Sequence, residues 1–330
     1  MTKNRKHSGE FTDFEELKMQ LSSARIDVRI RQDAIKKDPD LTRYPAIRED
    51  FERKIKALQE RISQLEAIVA TEPPPPELPP RQPLFKVSGM LEEFSVQKVK
   101  GYFADSEYDP EAFARQEASN QVGSVLLAMT GNAAGSAVTG QSKIKIKDAC
   151  DFVRGKINGV PFSGWLGKTH VQSGDYVDMA VMKKDDHYVV YAIALPELRT
   201  ITMTPQCACG REGDIYFETH YSAAVMGGIY SVILLILKFK GAGWTDVLIC
   251  SAIFAAILLA ACVYAVYSIN KKPDPKTLLA ENIFVALDFT NPKCIDLRRS
   301  TKKHSKEQPP VTDREIPSDS LTWVDYFYYY

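Results

Sequence analysis

An apolar stretch late in the chain constrains the fold more than any other feature. Residues 223–266 hold only Lys238, Lys240 and Asp246 as carboxylates or bases, in a chain of which 25 % is charged. The uncharged runs 221–237 and 247–269 would form helices about 26 and 35 Å long, against a hydrocarbon core of about 30 Å. A domain of this size cannot cover such helices on every side. The sequence therefore predicts two antiparallel transmembrane helices within 219–270.

Small residues recur at every fourth position in both predicted spans, and each set forms a flat stripe suited to close helix packing. The six positions are Ala223, Gly227 and Ser231 in the first span and Ala252, Ala256 and Ala260 in the second. Either the stripes pack on each other or one faces another copy of the chain. Two helices alone cannot enclose water, so a pore would need several chains or the glycine-rich segment 118–142. Trp244, in the connecting loop, is predicted to anchor the hairpin at the interface. Neither span holds a charge, which argues against ion-coupled transport.

The N-terminal region predicts a helical hairpin followed by a spacer. Apolar residues alternate at three and four positions from Phe14 to Ile35 and again from Phe51 to Val69, so residues 1–70 are predicted to form an antiparallel coiled coil. It is either an autonomous structural unit or a docking handle. Residues 71–83 contain seven prolines, which predicts an extended linker and leaves a PxxP ligand as the alternative.

Residues 84–142 mix strand-like and helical signals. Their second part, 118–142, has 25 residues without a charge, and Gly131 and Gly135 form a GxxxG pair for close helix packing. This segment either inserts in the membrane as a further helix or forms a buried glycine-rich helix.

The region 143–218 shows period-two alternation with turn signals, which predicts a small β-barrel or sandwich, with an OB-like barrel as one form. Two strands are expected at 176–182 and 187–195, joined by a polar turn. A short amphipathic helix and a strand are expected in 271–300, and a disordered tail in 301–330. The predicted fold class is thus a multidomain α+β membrane protein.

The chemistry-bearing residues give little support for catalysis. Basic and acidic residues both number 42, so a nucleic-acid partner is not indicated, and no catalytic or cofactor-binding motif is present. Cys207, Cys209 and His220 are either three ligands of a zinc site that lacks a fourth or ordinary residues of a turn. A basic patch at 298–303 would meet either solvent or lipid phosphate. We expect no enzyme activity, cofactor or metal.

Several stretches resemble a family of enterobacterial proteins described as type VI secretion system effectors. They are "VRGKINGVPFSGWLGKTHVQSGDYVDM", "DDHYVVYAIALPELRTITMTP", "CGREG" and "NIFVALDFTNPKCIDLRRSTKK". The resemblance implies an antibacterial toxin that inserts in the inner membrane of the target cell and forms pores or depolarises it. Its implied partners are secretion components or an adaptor, a cognate immunity protein, the lipid bilayer and other copies of the chain.

The N-terminal residues "MTKNRKHSGEFTDFEELK" lack an apolar signal-peptide core, so any secretion would follow a signal-peptide-independent route. The predicted location is a multi-pass position in the inner membrane. The alternative function is a resident inner-membrane adaptor or immunity-type protein that binds a partner through its coiled coil and β domain.

Overall fold

A computed structural model of the chain describes residues 11–37, 45–103, 108–111, 114–115, 147–239, 243–271, 273–307 and 326–330. It is a mixed structure of helices and strands, as the sequence predicts. The helices are α1 (Phe14–Lys37), α2 (Pro45–Val69), α3 (Arg211–Phe239), α4 (Trp244–Lys271), α5 (Pro275–Ala286) and α6 (Leu297–Glu307). The strands are β1 (Phe85–Tyr102), β2 (Lys147–Ile157), β3 (Val160–Leu166), β4 (Tyr176–Lys184), β5 (His187–Leu195), β6 (Thr200–Met203) and β7 (Phe327–Tyr329).

The two N-terminal helices bury some of the apolar positions that the heptad pattern selects, including Leu65 on α2. Leu21, Ala24 and Val28 are buried on α1. The Arg25 guanidinium lies 2.7 Å from the Glu66 carboxylate on α2, so the two helices are in contact. Coiled-coil packing of this pair stays a prediction, and residues 38–44 between the helices lie outside the described part.

Five strands close into a barrel in the order β1-β2-β3-β5-β4. The 18-residue strand β1 pairs with β2 through its second part and with β4 through its first part, both antiparallel. The barrel closes where β3 pairs with β5 in parallel, from Phe162 opposite Tyr188 to Gly164 opposite Val190. This is the strand order of an OB-like barrel. The predicted β-barrel is confirmed, and the sandwich alternative is not what forms.

The barrel begins earlier than its predicted boundary at residue 143. Strand β1 lies within the segment 84–142 that the sequence left unassigned, and it supplies a central strand of the barrel. Because β1 changes its partner along its length, its sequence does not follow the simple alternation of a strand with one buried face. The helical segment predicted at 118–142, with Gly131 and Gly135, lies outside the described residues.

Closure of the barrel depends on a glycine in β3. A Cβ atom on Gly164 would lie 2.2 Å from the carbonyl oxygen of Val190 on β5. Only a residue without a side chain allows the two backbones to approach this closely.

Alternate residues of β4 lie in two separate hydrophobic cores. Val177, Met179 and Val181 belong to the core inside the barrel, whereas Ala180 and Met182 belong to a second core on its outer surface. Residues of α5 and β7 complete the outer core. Helix α5 lies where a short amphipathic helix is predicted, and it is largely buried, including Leu279, Ile283 and Phe284.

The proline-rich segment is not a free spacer. The Trp165 indole donates to the carbonyl oxygen of Pro74 at 2.8 Å, and the Tyr191 hydroxyl donates to that of Glu77 at 2.8 Å. Leu78 packs on the outer core. Prolines have no backbone N–H group, so the carbonyl oxygens of this segment have few amide donors within the segment itself. Donors on the barrel bind two of these oxygens instead, and the segment forms a strap across β3 and β5.

The end of the chain also differs from the prediction. Residues 301–307 belong to helix α6, and Phe327–Tyr329 form the buried strand β7 beside β6. The prediction of a disordered tail is therefore wrong for both pieces, because the aromatic side chains of β7 gain burial on the barrel. In the described part of 271–300, a single β-bridge between Cys209 and Asp296 stands in place of the predicted strand.

Candidate membrane hairpin and its junction with the barrel

Helices α3 and α4 are long and apolar enough to cross a membrane, by length and composition. The segments that meet this criterion are Arg211–Ile236 and Val247–Lys271, and neither is buried inside the protein. Large apolar side chains are exposed along both helices; they include Val225, Ile229, Val232, Leu235, Ile249, Ile253, Ile257 and Leu259. Exposed apolar area on this scale indicates an apolar environment around the helices.

One aromatic side chain joins the two helices near the middle of the hairpin. The Tyr230 ring on α3 stacks on Phe254 of α4, with centroids 4.4 Å apart and an interplanar angle of 15°. The Tyr230 hydroxyl also hydrogen-bonds the Ser251 hydroxyl, and Ser251 donates to the Val247 carbonyl at 2.7 Å. The sequence did not predict this contact. Its signal was a tyrosine in one apolar run and a serine in the other, which can form a hydrogen bond between the helices.

The alanine stripe of α4 lies away from α3. Ala252, Ala256 and Ala260 are all exposed, and Ala256 is rotated about 200° from Phe254 around the helix. The alternative in which the two stripes pack on each other is therefore not how this hairpin packs. Contact of the stripe with another copy stays a prediction.

Of the three small residues predicted on α3, Gly227 alone is partly buried, and it makes no tight contact with α4. Gly227 is half-buried, yet a Cβ atom built on it would meet no other atom within 4 Å. Ala223 and Ser231 are exposed, and the Ser231 hydroxyl donates to the Gly227 carbonyl within its own helix.

Aromatic residues mark both ends of the apolar hairpin. Tyr221 and Phe239 are exposed on α3 and lie about 27 Å apart along its axis. Trp244 and Tyr264 are exposed on α4 and lie about 30 Å apart. These spacings match the hydrocarbon thickness and resemble the aromatic belts of membrane proteins. Trp244 is the first residue of α4, 72 % exposed, and its role as an interfacial anchor stays a prediction.

A buried carboxylate joins the start of α3 to the helix that follows α4. Glu281 of α5 accepts a hydrogen bond from the backbone nitrogen of Arg211 at 2.9 Å and another from its guanidinium at 3.0 Å. The first bond satisfies an amide at the helix N-terminus that has no partner within the helix, and the negative charge suits that end. The start of α3 is thus bound to α5, whose buried residues belong to the outer core.

The "CGREG" stretch forms the turn that makes this junction. A Cβ atom on Gly210 would lie 2.3 Å from the carbonyl oxygen of Pro292, so the close approach of the two segments requires glycine. The Gly210 amide donates to the Ile295 carbonyl at 2.8 Å, and the Leu297 amide donates to the Ala208 carbonyl at 3.0 Å.

Charged groups surround Cys209 at the base of α3. Arg298 donates to the Cys209 sulfur at 3.1 Å and to the Asp296 carboxylate at 3.1 Å, and the Cys209 thiol points to Asp214 at 3.7 Å. Burial raises the pKa of Cys209 to about 12, although Arg298 partly opposes this shift. The thiol is therefore neutral and unreactive at pH 7.

Cys207 and His220, the other two candidate zinc ligands, contact other groups. Cys207 is buried in the outer core beside the Tyr108 hydroxyl, 3.9 Å away, and burial raises its pKa to about 12. His220 stacks on Tyr216 of α3, with ring centroids 3.7 Å apart. Within the ranges that the structure describes, no group of three or more His, Cys, Asp or Glu side chains is arranged to hold a metal ion.

Comparison with known proteins gives no further assignment. No protein-family model, no curated protein and no solved structure matches this chain.

Proposed function

We propose that this protein acts in a membrane, with α3 and α4 inserted as a hairpin and the barrel on one side of the bilayer. The observation that carries the proposal is the exposure of apolar side chains around both helices, with neither span buried in the protein. Water would penalise this surface, whereas lipid chains would not.

The resemblance to type VI secretion effectors extends this proposal to an antibacterial role. The chain is delivered into a competing cell, inserts in its inner membrane and depolarises it. Two helices cannot enclose water, so the permeation path needs several copies of the chain or the segment 118–142 as a further helix. The exposed stripe Ala252, Ala256 and Ala260 supports this step, since small residues allow close approach of a second helix. Helices α1 and α2 would bind the delivery components or an adaptor, and an immunity protein would neutralise the toxin.

The test is expression in sensitive bacteria, with and without a periplasmic targeting sequence, while growth and a membrane-potential dye are followed. We expect the wild-type chain to depolarise the cells and slow growth. Ala256→Leu should abolish the effect, because its side chain would separate the packed helices. Ala255→Leu makes the same change at an exposed neighbouring position and should preserve it. Failure of both wild-type constructs to depolarise cells would refute the toxin proposal.

A resident inner-membrane adaptor or immunity-type protein is the second candidate. The contact of Arg211 at the start of α3 with Glu281 of α5 favours it. Helix α5 packs in the outer core of the barrel, so this contact would hold a binding platform at the membrane surface. For this function, the native chain would fractionate with the membranes of its own cell, and its expression would protect cells without depolarising them.

A further inference from the structure

A groove of about 800 Å³ lies beside the base of α3, and three basic side chains of α6 line it. Arg299, Lys302 and Lys303 line it together with Tyr216 of α3, and Arg299 donates to the Tyr216 hydroxyl at 3.4 Å. We call these four residues with the space between them the basic groove.

The packing of α6 determines which of its side chains face the basic groove. Leu297 and Thr301 are buried against the barrel, and the His304 ring stacks on Tyr329 with centroids 4.3 Å apart. These three residues form one helix face. Arg299, Lys302 and Lys303 lie on another face and are exposed.

The charge of the basic groove is positive even though two acidic side chains also line it. Asp296 is paired with Arg298 at 3.1 Å, so its charge is compensated. Glu212 accepts a hydrogen bond from the Cys294 thiol at 2.7 Å. Three cations therefore face Glu212 and the main-chain carboxyl group of Tyr330, which also lines the groove. The excess charge is positive, and an anion would be attracted to this space.

The position of Tyr216 sets the depth of the basic groove relative to a bilayer. Tyr216 precedes Tyr221, where the uncharged run of α3 begins, by five residues, or about 7 to 8 Å along the helix. The headgroup layer on each side of a bilayer is about 5 to 8 Å thick. The Arg299 guanidinium lies 4.5 Å from the centre of the Tyr216 ring, so it is held at the level of lipid phosphates.

We propose that the basic groove binds the phosphate headgroups of anionic phospholipids in the leaflet next to the barrel. This inference rests on the proposed insertion of α3 and α4. Arg299 supplies a planar donor pair for phosphate oxygens, and Lys302 and Lys303 add charge that a zwitterionic headgroup does not satisfy. Bound lipid would hold α6 and the base of α3 against the membrane surface.

The test titrates the full chain, purified in a neutral detergent, with short-chain phosphatidylglycerol and, separately, with short-chain phosphatidylcholine. We expect at least tenfold tighter binding of the anionic lipid, since each basic residue near a surface contributes severalfold in affinity. The triple variant Arg299→Gln, Lys302→Gln, Lys303→Gln should lose this preference. The matched control, Arg53→Gln, Lys54→Gln, Lys56→Gln on exposed positions of α2, should keep it.

Three results would overturn the inference: equal affinity for the two lipids, a preference retained by the triple variant, or inorganic phosphate binding as tightly as phosphatidylglycerol. The last would identify a site for the free ion. If the triple variant unfolds, Arg299→Gln alone is titrated, and it must weaken binding of the anionic lipid. Flotation of the wild-type chain with phosphatidylcholine vesicles tests insertion separately, so failure of insertion and failure of the basic groove give different results.

Discussion

Glu281 on α5 binds Arg211, the first residue of α3, through two hydrogen bonds of 2.9 and 3.0 Å. The two residues are 70 positions apart, and the whole apolar hairpin lies between them. Glu281 is 8 % exposed, so solvent screens this pair only weakly. The contact fixes where the hairpin leaves the protein body.

Replacement of Glu281 by Gln should destabilise the protein by about 2 kcal/mol, because the partly buried Arg211 guanidinium loses a charged hydrogen-bond partner. Urea unfolding of the chain in detergent measures this loss. Glu60→Gln removes a carboxylate from an exposed position of α2 and should change the free energy of unfolding by less than about 0.5 kcal/mol. Equal stability of Glu281→Gln and wild type would show that the pair does not hold the junction.

The contact between Tyr230 and Ser251 should stabilise the hairpin by about 0.6 kcal/mol, and by no more than about 1.7 kcal/mol, as for other hydrogen bonds between membrane helices. A double-mutant cycle of Tyr230→Phe and Ser251→Ala, measured by unfolding in mixed micelles, gives this coupling energy. The same cycle with Tyr264→Phe, at an exposed position, should give a coupling energy near zero. Equal coupling in both cycles would contradict the observed packing.

The proline-rich strap should become accessible to protease when its two hydrogen bonds to the barrel are removed. In Trp165→Phe with Tyr191→Phe, the carbonyl oxygens of Pro74 and Glu77 lose their donors. Each bond contributes about 1 kcal/mol, so cleavage by trypsin after Arg81 should be about 10- to 30-fold faster. Tyr176→Phe, on an exposed tyrosine, serves as control. An unchanged cleavage rate would show that apolar packing alone holds the strap.

Stability should fall as the pH rises from about 9 towards 12. Burial raises the pKa of Cys207 and that of Cys209 to about 12, while an unfolded cysteine titrates near about 8.5. Burial also raises the pKa of Tyr108 and Tyr328 well above the ordinary value. The folded state therefore retains protons that the unfolded state releases, and alkaline pH favours unfolding.

Cys207→Ala removes one titrating thiol and so measures the contribution of that thiol to the pH dependence of stability. The variant should reduce the slope of unfolding free energy against pH by about one proton, or about 1.4 kcal/mol per pH unit. Urea unfolding between pH 8.5 and pH 11 (about two units above the free thiol pKa) measures the slope, which is independent of any constant loss from the cavity. A wild-type slope in Cys207→Ala would contradict a buried, neutral thiol.

The part of the fold that the sequence predicted best consists of local patterns. Strands β4 and β5 lie at the predicted positions. They could be predicted because the alternation of apolar and polar residues along a strand follows directly from the different burial of its two faces. The two apolar helices were also visible, because their length and lack of charge depend on no distant residue.

The elements that the sequence missed depend on distant partners. Strand β1 binds β2 at one end and β4 at the other, so its pattern matches no single-faced strand. The prolines of the strap suggested a spacer until Trp165 and Tyr191 supplied donors for their carbonyl groups. The contact face of α4 contains Ser251 and Phe254, whereas its alanine stripe is exposed.

By itself, the sequence determined that two apolar helices exist, that a β domain precedes them, and that residues 298–303 form a basic patch. These properties follow from side-chain hydrophobicity and charge at fixed spacing along the chain. Only the tertiary structure decided that Glu281 caps α3, that Gly164 allows the barrel to close, and that Arg299 faces Tyr216. Such contacts arise when packing brings distant segments together, and the local pattern of apolar residues does not specify which segments will be in contact.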